Sequence, residues 1–149
     1  MKREIKDMKK AIAVTAIALG MSMNANAGPL EQSVAIDATC AGVVNAYSQS
    51  IPAAARRPWD TFATALEVSA VSKAQRWLGL SADNAIRTIN RQVVKTSQTT
   101  IAEFNATNPD IEAGERYMHN RMKMCYSAIE DAAIMSGTTV NAVLAPRFK

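Results

Sequence analysis

The side chains best suited to chemistry crowd into one stretch, Ile111 to Met135, IEAGERYMHNRMKMCYSAIEDAAIM. Met118 and Met122 stand one helical turn apart, and His119, the only histidine of the chain, adjoins Met118. Two thioethers and an imidazole are soft donors of the kind that hold copper(I), so Met118, His119 and Met122 form a candidate metal site. The same methionines also complete an apolar stripe: Met118, Met122, Cys125, Ile129 and Ala132 recur at spacings of four, three, four and three. That is the pattern of a helix face turned to a core, where methionine commonly fills gaps. Met124 lies about 200° around the helix from Met122, so the same helix cannot bring both to one ion. Core packing is the preferred reading, with copper binding as the alternative.

Glu112, Glu115 and His119 share a second face of this stretch. A carboxylate metal site in a helical bundle uses Glu-x-x-His on paired helices, but Arg116 stands three before His119 and no second such motif exists. A solvated face with Glu112–Arg116 and Glu115–His119 pairs is the simpler expectation. No Cys-x-x-Cys-His haem motif, Gly-x-Ser-x-Gly elbow, His-Glu-x-x-His or phosphate loop is present. Glu130 and Asp131 are adjacent, which a helix turns about 100° apart rather than onto one substrate. These observations favour a protein that is not an enzyme and needs no cofactor.

Two sets of basic residues suggest a different kind of chemistry. Arg87, Arg91 and Lys95 fall at spacings of four, making a basic stripe down one helix. Such a stripe is usually the wet side of a helix, yet it is also suited to an acidic partner. Arg56 and Arg57 adjoin Trp59 across a proline, and arginine and tryptophan are frequent anchors at protein interfaces. Arg56, Arg57, Trp59, Arg87, Arg91 and Lys95 are therefore the candidate partner-binding residues.

The 149 residues open MKREIKDMKKAIAVTAIALGMSMNANAG. A charged head, an apolar run from Ala11 to Met23 and Ala25-Asn26-Ala27 describe a bacterial-style secretory signal cleaved after Ala27. The run falls short of the roughly 20 apolar residues a membrane span needs. Met8 opens a complete signal by itself, and residue 28 is Gly rather than a lipid-accepting Cys. Cleavage would remove five basic and two acidic residues, lowering the formal charge from +4 to +1. The basic character thus sits mostly in the signal, and a general nucleic-acid reading loses its support. The expected mature chain, residues 28–149, is one domain, with no stable membrane insertion.

Export would place the two cysteines in an oxidising compartment, periplasmic or extracellular, where they should pair as Cys40–Cys125. A ring of that length removes roughly 4.5 kcal/mol of unfolded-chain entropy in the simple model.

The elements that must position these residues all read as helices. From Pro29, residues Ile36, Cys40, Val43, Val44, Tyr47 and Ile51 form an apolar face, with Asp37, Asn45 and Gln49 off it. A connector, PAAARRP, precedes a second helix from Pro58 or Trp59 to Leu78, with Trp59, Phe62, Leu66, Ala70 and Trp77 near one face. Gly79 suits a left-handed helix end, and Ser81 caps a third helix with Ile86, Ile89, Val93, Ile101 and Phe104 inward. Its middle, KTSQTT, is a weak helix former where a bend is expected. Asn108-Pro109-Asp110 starts a fourth helix ending near Ser136-Gly137, and one short turn follows before Pro146. The expected fold is all-α, an antiparallel four-helix bundle or close relative with one disulfide. The expected role is that of a small exported protein acting on another protein, in the manner of an immunity protein, a chaperone or a secretion or conjugation accessory.

Overall fold

Residues 28–137 are described by the computed structural model, and within them the chain is all-helical. Five helices follow in order: α1 Pro29–Ser50, α2 Arg57–Leu78, α3 Ala82–Asn105, α4 Ile111–Met124 and α5 Tyr126–Ser136. A short 3-10 turn, Ala53–Ala55, lies between α1 and α2. The expected signal and the expected turn before Pro146 lie outside the described residues.

Helix α1 is the element around which the others are arranged. Between Val34 and Ser48 every residue is buried except the exposed Ile36 and the half-buried Asn45. Alanine, glycine and valine on all sides let α2 and α3 pack closely against it, while α4 and α5 also touch it and Cys125 between them is bonded to its Cys40. A helix surrounded by neighbours needs no polar face, so its sequence periodicity is weak.

Two residues of α1 exchange the positions expected for them. Ile36 is 42% exposed and Asp37 only 7% exposed. Asp37 goes inward because α2 supplies its partners: Lys73 Nζ lies 2.6 Å from Oδ2, and Ser69 Oγ donates to the same oxygen at 2.7 Å. Lys73 also donates to Ser33 Oγ at 3.0 Å. Near the other end of α1, Ser48 Oγ donates to Asp60 at 2.5 Å. Partners on α2 therefore advance as α1 residues recede, so α1 and α2 run antiparallel.

The core face of α2 is Trp59, Phe62, Leu66, Ala70, Ala74 and Leu78. Trp77, expected inward, is 39% exposed, because Ala74 and Leu78 occupy the inward positions of that turn. Gly79 ends the helix at φ 68°, the left-handed conformation that glycine adopts without a Cβ clash. Ser81 then caps α3, its hydroxyl accepting from the Asn84 amide at 3.3 Å.

Helix α3 is continuous through the expected bend. Thr96, Ser97 and Thr100 of that segment are buried beside Gln92, Ile89 and Val93. Burial against α1 stabilises residues whose helix propensity is low. Ile86 is exposed, whereas Ile101 and Phe104 are half-buried. At the crossing, a Cβ on Gly42 would lie 2.6 Å from Thr96 Cβ and 2.8 Å from the Val93 carbonyl oxygen.

The start of α4 is shifted from the expected cap. Asp110, not Asn108, caps it by accepting from the Ala113 amide at 2.9 Å. Tyr117 donates to Glu103, and Arg121 lies 3.6 Å from the same carboxylate, tying α4 to α3. Burial, then the hydrogen bond to Glu103, pushes the Tyr117 hydroxyl above its ordinary pKa of 10.0.

The expected single helix to Ser136 is broken at Cys125, whose ψ of 2° departs from helical values. The break separates the apolar stripe into Met118 and Met122 on α4, and Ile129 and Ala132 on α5. Each half packs differently, α4 touching α1 and α3, and α5 lying mainly on α2. No helix among the described residues is long and apolar enough to cross a membrane.

Candidate functional site

Cys40 and Cys125 are joined, with Cα atoms 5.4 Å apart, both sulfurs deep in the core. Met118 and Met122 are also core residues, 4% and 1% exposed, while Met124 is 57% exposed and His119 is half-buried. Among the described residues, no group of three or more His, Cys, Asp or Glu side chains is placed to hold a metal ion. The expected Glu112–Arg116 pair is present at 3.5 Å, on a solvated face.

The candidate interface residues are divided by the fold. Arg87, Arg91 and Lys95 are all exposed along α3. Arg87 folds back on its own helix, donating to the Asp83 carbonyl at 3.4 Å and the Asn84 side chain at 3.3 Å. Trp59 is not available as a surface anchor. It is 5% exposed and packed edge-on against Tyr47 and Phe62, at centroid distances of 4.8 and 5.7 Å. Its large ring fills the space where α1 and α2 converge. Arg56 is half-buried, donating from Nε to the Ile51 carbonyl at 3.0 Å and from Nη2 to the Gln49 carbonyl at 3.3 Å. Those carbonyls belong to the end of α1, so Arg56 supplies donors that a helix C-terminus lacks.

Arg57 has a different setting. It opens an open groove of about 970 Å³ that follows the outer face of α2 to Trp77, with Met135 and Ser136 of α5 on its edge. The floor is small or polar: Thr61, Thr64, Ala65, Ser69 and Ser72, with Val68 at the middle. Val68 is 61% exposed and Met135 60%. Lys73 Nζ stands 5.6 Å from the centre of the Trp77 ring, a cation–π contact at the far end. Four cations line the groove, Arg56, Arg57, Lys73 and Arg76, against the single acid Asp60. Lys73 is neutralised by Asp37, and Arg56 is held on carbonyls. Arg57 and Arg76 are exposed, and neither pairs with an acid among the described residues.

Arg87, Arg91 and Lys95 do not line this groove, so the two basic features are separate. Lys73, Arg76, Trp77, Val68 and Met135 are the site residues that sequence reasoning missed. A signal existed: Arg57, Thr61, Thr64, Val68, Ser72 and Arg76 fall at spacings of three and four, a row that winds about 100° around the helix over its length.

A second crevice, about 520 Å³, lies where the end of α1 meets the α3–α4 connection. Tyr47, Ile51, Phe104, Met118, Glu115 and His119 are among its walls.

Comparison with protein families, curated proteins and solved structures returns no match.

Proposed function

We propose that this chain is a small exported protein of the bacterial envelope, periplasmic or secreted, that acts by binding another protein and not by catalysis. In this reading residues 1–27 are a secretory signal, and the mature domain is an antiparallel helical bundle that presents α2 to an acidic partner. The observation that carries it is the groove along α2. Arg57 and Arg76 lie exposed there without acidic partners among the described residues, flanking an apolar centre at Val68. Solvated cations around an apolar centre give a partner both desolvation energy and electrostatic selection. The buried cystine and the tightly packed α1 give that surface a rigid backing, which lowers the entropy lost on docking.

The test is chemical crosslinking in intact producing cells, followed by pulldown of wild-type protein and of Arg57→Glu/Arg76→Glu. A specific partner should be captured by the wild type and at least tenfold less by the variant. An unchanged set of partners, or no partner beside turnover of a small substrate by the purified protein, would discard this reading.

A further inference from the structure

The shape of the groove says more about its occupant than its charge alone. Arg57 and Arg76 are separated by nineteen positions of one unbroken helix, about 28 Å along its axis and about 100° around it, and both line the one groove. Between them the row Thr61, Thr64, Val68 and Ser72 carries no long side chain. Such a floor lets another backbone approach closely, within the roughly 8–10 Å of packed helix axes. An extended segment would gain little here, because the amides and carbonyls of α2 are already bonded within the helix and offer it no ladder. A helix satisfies its own backbone and needs only side-chain contact. Trp77 adds apolar area at one end of the floor, and Met135 adds more along the groove's edge.

Resting on the protein-binding reading above, we propose that the occupant is an amphipathic helix of the partner protein. It follows the inclined row of α2, crossing the axis at an angle, with an acidic side chain near each end of a stripe of small or apolar residues. The acids meet Arg57 at one end and Arg76 at the other, and the stripe covers Val68. The positive surplus of the groove favours an acidic helix over a second copy of this chain, which would bring the same two arginines to the contact.

The experiment places a photocrosslinking p-benzoylphenylalanine at Val68 of the full chain in producing cells and maps the crosslinked peptide by mass spectrometry. Val68 is exposed and contributes nothing to the core, so the substitution leaves the fold intact, as circular dichroism will confirm. The expected product joins Val68 to a helical segment of another protein, with Asp or Glu on both sides of the attachment point, roughly two to three turns away in each direction. Adding Arg57→Glu/Arg76→Glu should lower its yield at least tenfold, whereas Arg87→Glu/Arg91→Glu should leave it within twofold. A product through a neutral or basic segment of a partner would overturn the helix assignment and leave protein binding standing. A product with a second copy, or with residues 138–149 of the same chain, would also overturn it. No product at Val68 would overturn it too, and absence of any partner in the bulk crosslinking would remove the protein-binding reading with it.

Discussion

At Gly42 the backbone of α1 meets that of α3 with no room for a side chain. An added methyl would lie 2.6 Å from Thr96 Cβ and 2.8 Å from a main-chain oxygen, and neither neighbour is a flexible tip that can swing away. Alanine at this site would raise helix propensity by up to about 1 kcal/mol. Forcing extra volume into a packed contact costs typically about 1–3 kcal/mol. With backbone as one obstacle the cost belongs near the upper end, so Gly42→Ala should lose about 1–2 kcal/mol net. Denaturant unfolding measures this directly, and an unchanged or raised midpoint would show that the helices can separate without cost. Nothing in the local sequence marks Gly42, because its reason for being glycine is Thr96, more than fifty residues away. The same holds for Asp37. A lone acid on a helix reads as wet, and only the fold reveals Ser69 and Lys73 waiting for it on α2.

The cystine was legible from the count of two cysteines and the expectation of export, neither of which needs a tertiary structure. Helix ends were legible for the same local reasons: Gly79 is left-handed and Ser81 caps, as their types suggest. What escaped was the break between α4 and α5. An apolar stripe recurring at threes and fours looks identical whether its helix continues straight or changes direction at one residue. Cys125 sits at that joint, bonded to the middle of α1 across a separation of 85 residues. Replacing Cys40 and Cys125 together by serine should therefore cost up to about 4.5 kcal/mol, the unfolded-state entropy of so large a ring. The helical content should persist, since α1, α2 and α3 pack on one another independently of the bond. Hydrogen exchange offers the sharper test. Amides of α4, which touches its neighbours least, should lose protection before those of α1. Equal loss across all five helices would mean that the cystine holds the whole domain and not chiefly its last two elements.

The exposed basic residues raise a question that only the charge of the whole molecule can settle. With the expected signal removed the chain carries a formal charge of only +1, so net charge by itself steers an acidic partner weakly. Selection must come from where the cations are placed. The variants Arg57→Glu/Arg76→Glu and Arg87→Glu/Arg91→Glu each change the formal charge by the same amount, to −3, but on separate surfaces. At about 0.01 M salt the screening length is roughly 30 Å, comparable to the domain, and both variants should slow association with the crosslinked partner. At about 0.15 M it shrinks to roughly 8 Å, and only charges at the contact still act. The groove variant should then bind at least tenfold more weakly, while the α3 variant should return to within twofold of wild type. Stopped-flow association at the two salt concentrations distinguishes the cases. Equal effects at the higher salt would assign recognition to overall charge. A larger effect from Arg87 and Arg91 would move the docking face to α3, where the basic stripe first drew attention in the sequence.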